Sequence, residues 1–298
     1  MSSNRLHEDD PLAPHRRRLL GLAYRMLGSR SDAEDIVQDA YLRFAGAEDV
    51  RNTEAMLVTI VTRLCLDRLK SARMQRETYV GPWLPEPVLD AEQLGADAAT
   101  ELADDLSFAL MLALDRLSPP ERAAFLLHDV FDTPFPEVAR MLERTEAACR
   151  QLASRARRAV RDERAAPPSV APEAHARLLD AFSHAAASGD LSALAGLLSE
   201  DAVIFTDGGG RKTAALNPIR GADKIMRFFA GIAAKNAGRA IRLVPMKING
   251  SVGALVYMDN EIDHALSLAV EGEKITAIYL VRNPDKLRHV AAAQPRWA

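Results

Sequence analysis

Ser118-Pro119-Pro120-Glu121-Arg122-Ala123-Ala124-Phe125, followed by Thr133-Pro134-Phe135 and then by Glu143-Arg144-Thr145-Glu146, decides the fold of the middle of this chain. Ser118 offers a cap, the prolines fall in the first helical turn where their missing N–H groups cost nothing, and Glu121 stands at the third position. That spacing predicts a helix start, with Ala124, Phe125 and Leu127 turned inward. Thr133-Pro134 predicts a second, short helix carrying Phe135, Val138, Ala139, Met141 and Leu142, and Glu146 opens a third. On the third helix Ala148, Cys149, Leu152, Ala156 and Val160 share the buried side, which leaves Arg150, Gln151, Ser154, Arg155 and Arg158 pointing outward. Two helices joined by a tight turn, with that outward set, read as a DNA-binding helix-turn-helix. Arginine can bond guanine O6 and N7 in the major groove, glutamine can pair with adenine, and serine can donate to base or phosphate. Arg157, Arg161 and Arg164 extend the positive charge toward the DNA backbone. The plainer alternative is a solvated basic helix end favoured by the helix dipole.

Upstream, residues 16–28 carry Leu19, Leu20, Ala23, Met26 and Leu27 at helical spacing, closed by Gly28. Ser31-Asp32-Ala33-Glu34 fits a capping box for a second helix running to about Ala45, with Ile36, Val37, Ala40, Tyr41 and Phe44 on its apolar face. Thr53 can cap a third helix with a stripe of Met56, Leu57, Ile60, Val61, Leu64 and Leu69, whose other side bears Arg63, Arg68, Lys70 and Arg73. Gly81-Pro82-Trp83-Leu84-Pro85-Glu86-Pro87 cannot be helical, because its prolines lack donors and push their predecessors out of the α region. It marks a boundary, after which an acidic stretch leads to renewed helix near Glu101.

The chain has 298 residues, room for two or three domains. A net charge of −3 and a pI of about 6.2 exclude bulk electrostatic attraction as the source of DNA affinity, so local basic patches must supply it. Cys65 and Cys149 lack metal-ligand spacing and read as reduced core thiols. No cofactor or metal is expected. No apolar run approaches the roughly 20 residues of a membrane span, and a soluble, cytoplasmic protein is expected.

Beyond Ala165-Ala166-Pro167-Pro168-Ser169 the periodicity changes. Helices are expected at 173–188, 190–198 and 221–235. Strands are expected at 201–206, 239–247, 252–258, 263–270 and 274–282, the last two joined by a turn at Glu271-Gly272-Glu273. Helices segregated from a mostly antiparallel sheet make an α+β domain.

Tyr24-Arg25-Met26-Leu27-Gly28 with Asp32-Ala33-Glu34-Asp35-Ile36-Val37-Gln38-Asp39-Ala40-Tyr41 resembles sigma region 2 of the extracytoplasmic-function (ECF) sigma factors, and 115–158 resembles their region 4. The resemblance covers about residues 12–162. It implies that Asp32, Glu34, Asp35, Gln38 and Asp39 dock on the beta-prime clamp of RNA polymerase, with the beta flap as a further contact of the core enzyme. It also implies that the loop and helix from about 46 to 76 recognise and open the minus-10 element, with Asn52 as the base-contact candidate and Arg63, Arg68, Lys70, Arg73 and Arg76 on phosphates. The helix around Arg150 to Arg155 would read the minus-35 element. Two departures stand out: Met56 replaces a common tryptophan, and Glu143 occupies the turn where glycine is common and positive φ costs little.

Residues 173–285 resemble SnoaL-like domains, cone-shaped α+β folds, and the chain is similar to the SigJ-like subgroup of ECF sigma factors that fuses one. Three motifs carry that likeness: Trp83-Leu84-Pro85-Glu86-Pro87, Asp207-Gly208-Gly209-Gly210 and Asn283-Pro284-Asp285-Lys286-Leu287. A lysine common after the triple glycine is here Arg211, with Lys212 next. The organisation expected is sigma region 2 at 12–78, a linker at 79–105, sigma region 4 at 106–164, a second linker at 165–172, the α+β domain at 173–285 and a tail at 286–298. As a sigma factor the chain is not expected to be an enzyme.

Two readings of the C-terminal domain remain. In one it is a built-in regulator contacting the linker and region 2, with Trp83 as a rigid aromatic anchor beside the prolines, against the alternative that Trp83 packs only on its own helices. In the other it is a ligand sensor or an isomerase- or cyclase-like enzyme using Asp207, Asp263 or His264. Strand alternation puts Asp263 and His264 on opposite faces, so at most one points inward. Asp207 and its glycines also read as a simple turn, and the triplet lacks the Lys-Ser/Thr of a phosphate loop.

Overall fold

The computed structural model describes residues 13–47, 52–89, 94–95, 102, 105–163, 172–188 and 190–293. It divides into two compact units. One comprises residues 1–74, 91–106 and 113–162, the other 75–90, 107–112 and 163–298. The proline-rich segment expected to stand between domains therefore folds with the C-terminal unit.

In the first unit, α1 (Arg16–Leu27) ends where Gly28 takes a left-handed φ of 69° and its N–H bonds to the Tyr24 carbonyl at 2.7 Å. α2 (Arg30–Ala45) is capped by Ser29, whose Oγ accepts from the Asp32 N–H at 3.1 Å. The cap thus lies two residues before the expected Ser31, because Ser29 is the last residue in an extended conformation. In α3 (Thr53–Glu77) the capping oxygen comes from Asn52, which accepts from the Ala55 N–H at 2.9 Å, and Thr53 is already helical. Leu19, Leu22, Ala23 and Met26 of α1, Ile36, Val37 and Ala40 of α2, and Leu57 and Val61 of α3 are buried in the core.

Glu101, where helix was expected to resume, lies outside the described residues; α4 (Phe108–Asp115) is capped by Ser107, whose Oγ accepts from the Leu110 N–H at 3.3 Å. α5 (Pro119–Phe125) starts with the expected capping box; the Ser118 N–H donates to the Glu121 carboxylate at 3.2 Å. It continues as a π-helical turn over Leu126–Val130, closed by Phe131 N–H to Leu126 carbonyl at 2.9 Å. α6 (Phe135–Leu142) and α7 (Glu146–Glu163) complete the helix-turn-helix. The buried guanidinium of Arg122 ties α5 to α1, bonding the Met26 carbonyl at 2.7 Å and Asp115 at 3.1 Å. Burial lowers its pKa to about 10. Arg18 likewise donates to the Phe131 carbonyl at 2.6 Å.

The second unit opens with α8 (Pro172–Ser188) and α9 (Leu191–Leu197) and then lays down β1 (Leu198–Asp207), β2 (Ile219–Arg220), α10 (Ala222–Lys235), β3 (Ile241–Ile248), β4 (Ser251–Met258), β5 (Glu261–Glu271), β6 (Lys274–Val281) and α11 (Arg288–Ala293). The sheet order is β2-β1-β6-β5-β4-β3. Every pairing is antiparallel except β1 with β6. The short β2 carries no alternation to reveal it in the sequence. On one face Phe182, Leu194, Ile225 and Phe229 from the three helices cover Leu266, Leu268, Ile278 and Leu280. The other face, with Leu255, Tyr257, Ala265, Tyr279 and Val281, is covered by Leu84, Phe108, Leu287 and Val290. Phe108 stacks on Tyr279 at 5.3 Å between centroids. A segment that reads as a linker thus serves as part of a core. Among the described residues no helix is long and apolar enough to cross a membrane.

Candidate nucleic-acid interface and linker cradle

The outward residues of α7 stand where the helical period places them: Arg150, Gln151, Ser154, Arg155 and Arg158 are all exposed. Two are held from the side. Arg150 donates to Glu146 at 2.8 Å and lies over the Phe135 ring, 5.2 Å from its centroid. Arg155 Nε donates to Glu121 Oε1 at 2.8 Å, so one edge of its guanidinium is engaged by the α5 capping box. The Ser118 hydroxyl and then Arg155 hold the Glu121 carboxyl below its usual range. Arg157, expected to reach toward the DNA backbone, instead pairs with Asp129 of the π turn, because it lies on the flank of α7 facing that turn. Arg164 lies outside the described residues. At the turn, Glu143 adopts φ 53°, the left-handed conformation that glycine adopts at little cost. The Arg144 N–H bonds the Ala139 carbonyl at 3.0 Å, completing a helix C-terminal motif.

On α2, Glu34, Asp35, Gln38 and Asp39 are exposed and Asp32 is half-buried. Glu34 pairs with Arg30 at 3.1 Å and Asp32 with Arg68 at 3.4 Å. Arg63 reaches Glu143 at 2.8 Å, and Lys70 reaches Asp67 at 2.8 Å. Asn52 spends its side-chain oxygen on the cap of α3. The side chains of Arg73 and Arg76 lie outside those described. Cys65 and Cys149 are buried free thiols, and burial raises the pKa of each.

The three separated motifs meet in the second unit. Asp207, with no exposed surface, accepts from the Tyr79 hydroxyl at 2.6 Å, the Leu84 N–H at 2.8 Å and Lys286 Nζ at 2.7 Å. Lys286 also donates to the Leu84 carbonyl and lies 4.4 Å from the centroid of the Trp83 ring. Asn283 Nδ2 donates to the Tyr79 hydroxyl at 3.0 Å, while its Oδ1 caps the turn at Pro284 by accepting from the Asp285 N–H at 3.0 Å. Leu287 is buried against the sheet beside Leu84. Gly208, Gly209 and Gly210 form the turn that lets this happen: at Gly209, φ is 57° and a Cβ would stand 2.1 Å from Asn283 Nδ2. Pro85, Glu86 and Pro87 are buried. Farther along, the Val88 N–H bonds Asn249 at 2.9 Å, the Asn249 N–H returns a 2.7 Å bond to the Val88 carbonyl, and His289 bonds the Pro87 carbonyl. Tyr79, Asn249 and His289 carry no motif of their own and were missed in the sequence. Burial, then the Asp207 charge, raises the Tyr79 pKa.

Asp263 and His264 are not on opposite faces. β5 carries a bulge there, with Val256 opposite His264 and Tyr257 opposite Ile262, so Asp263 is the extra residue and alternation fails. The two side chains meet at 2.9 Å, and Asp263 also holds Arg282 at 3.0 Å and Lys212 at 3.1 Å. Burial pushes the Asp263 carboxyl up, but bonds and charges from His264 and Arg282 outweigh it and leave the pKa well below the usual range. Burial keeps the His264 pKa below its ordinary value.

Residues 12–74 match the family described as Sigma-70 region 2, and residues 107–160 that described as Sigma-70, region 4. The chain is 39% identical over 281 residues to the ECF RNA polymerase sigma factor SigJ of Mycobacterium tuberculosis, covering 91% of this chain and 90% of that protein. The chain belongs to the ECF RNA polymerase sigma factors. The crystal structure of SigJ from the same organism is similar to this ECF sigma factor with a TM-score of 0.71 and 37% identity, covering 92% of this chain and 96% of that one. SigG of M. tuberculosis is 30% identical over 281 residues, covering 82% of this chain and 72% of its own length. Sigma factors bind core RNA polymerase and promoter DNA, and regions 2 and 4 of this sigma factor are the all-α parts that precede its α+β domain.

Proposed function

We propose that this sigma factor directs core polymerase through two surfaces and that its α+β domain regulates them by gripping the linker between regions 2 and 4. Asp32, Glu34, Asp35, Gln38 and Asp39 engage the beta-prime clamp, and region 4 engages the beta flap. Arg63, Arg68, Lys70 and Arg73 hold phosphates near the minus-10 element, where Asn52 is the base-contact candidate. Arg150, Gln151, Ser154, Arg155 and Arg158 contact the minus-35 element. The chain acts with polymerase in the cytoplasm and catalyses no reaction of its own.

The observation that carries the regulatory reading is Asp207, a buried carboxylate whose partners include the Tyr79 hydroxyl, the Leu84 N–H and Lys286. A buried charge persists only when so satisfied, which makes the grip specific for this linker conformation. Tyr79→Phe removes one donor and keeps the ring. Transcription by the full chain with core polymerase is expected to change at least about twofold, in line with the loss of one charge-assisted bond; unchanged transcription overturns the regulatory reading. Arg150→Glu is expected to abolish specific initiation while sparing core binding.

A further inference from the structure

Arg150 is the fifth residue of α7, within the N-terminal part of a recognition helix that reaches base edges. A free arginine on a helix surface samples many rotamers, and each must be given up when the guanidinium forks onto a guanine. Here the guanidinium lies over the Phe135 ring, 5.2 Å from its centroid, and Glu146 takes one of its N–H groups at 2.8 Å. Phe135 is itself backed. The His128 ring stacks against it, with centroids 3.8 Å apart and 30° between planes. His128 Nδ1 sits 3.0 Å from the Thr133 carbonyl, an oxygen that can only accept, so Nδ1 carries the proton and the ring orientation is fixed. The π turn over Leu126–Val130 and the bond from the Thr133 N–H to the Leu127 carbonyl, 2.9 Å, hold that carbonyl and that ring together.

We infer that Phe135, backed by His128, is a positioning residue for base selection: it holds Arg150 in the orientation that reads the minus-35 element. This rests on the reading of Arg150 as a minus-35 contact. Phe135 acts through Arg150. Its ring attracts the cation over its face, and Glu146 sets the rotation within that plane, so the remaining N–H donors are presented before DNA arrives. The contribution is to the choice among bases rather than to general affinity, since phosphate contacts elsewhere are indifferent to how Arg150 is held.

The test uses full chain with core polymerase and a set of promoters carrying each of the four bases in turn at every minus-35 position, with transcript yield as the readout. Arg150→Ala first identifies the position whose base preference it removes. Phe135→Leu is then expected to reduce that preference by about three- to tenfold, a fraction of what a good bidentate contact supplies, while yield on the least preferred base changes less than about twofold. Phe135→Tyr is expected to restore the preference. Should Phe135→Leu melt well below the parent, Glu146→Gln, which frees the guanidinium from the other side, is expected to lower the same preference in a folded chain. An unaltered preference in Phe135→Leu, a uniform fall across all four bases, or no rescue by tyrosine overturns the positioning role. If Arg150→Ala removes no preference at any position, the minus-35 reading of Arg150 itself fails, and the positioning role with it.

Discussion

Lys286 Nζ lies 2.7 Å from Asp207 Oδ2, and the two side chains are 10% and 0% exposed. The pair therefore sits in low dielectric, where a lone charge is costly and a matched one is tolerated. Asp207→Asn turns one oxygen into a donor facing donors, and is expected to destabilise the second unit by about 3–5 kcal/mol. Lys286→Met should cost a similar amount, and the double variant less than the sum by at least about 1 kcal/mol. Denaturant titrations of the four proteins check this; strict additivity would show that the charges do not act as a pair.

Leu84 is fully buried against Tyr279 and Val281 on the sheet face away from the three helices. Leu84→Ala is expected to cost about 2–4 kcal/mol, the range for a truncated core leucine. A solvent-exposed linker residue would cost nothing measurable, so the melting temperature decides whether residues 75–90 belong to the core in solution.

Glu143 holds φ at 53° and offers in return an ion pair to Arg63 whose side chains are 75% and 51% exposed. Such a pair contributes little, whereas a left-handed non-glycine residue costs about 1 kcal/mol. Glu143→Gly should accordingly stabilise the first unit by about 0.5–1 kcal/mol, read from the shift in its unfolding midpoint. A loss of stability would mean that the Arg63 contact is worth more than its exposure suggests.

Acid should weaken the second unit in two stages. Burial holds the His175 and His264 pKa values below the ordinary 6.5, so the unfolded chain binds more protons as pH falls through that value, and stability declines there. The depressed Asp263 adds stability above its ordinary 3.8 that is lost only as pH falls through its lower folded pKa. His264→Gln should flatten the first stage. Unfolding midpoints at pH 7.5 and 5.5 test this, and an equal decline in parent and variant would rule His264 out as a contributor.

Much of this was legible in the sequence because the signals are local. Helix periods, the Ser118 cap and the exposed side of α7 follow from neighbours within a turn or two. Asp207, Lys286 and the Trp83 segment are marked by motifs, and the family likeness led to an expected contact between the α+β domain and the linker, but not to the individual pairs, which span 79 and 202 residues of chain. Tyr79 and Asn283, 204 residues apart, show the same limit without even a motif on the tyrosine side. The Asp263 bulge escaped because one extra residue in a strand leaves no compositional trace, yet it reverses which side chains meet. Arg155 and Arg157 fall on nearly opposite sides of α7, but the helical period names no partner for either; only α5 and the π turn, folded against α7, give each its acidic partner.

The bond from Lys286 to the Leu84 carbonyl also sets an order of events during synthesis. Residue 84 leaves the ribosome 202 residues before its partner, a lag of roughly 10–40 s at about 5–20 residues per second. Once Glu163 has followed, the helices of regions 2 and 4 are all present while the bond to the segment joining them is still to form. Under the proposed regulatory role, each newborn molecule therefore passes through a stage in which both promoter-reading regions exist before the contact that would govern them.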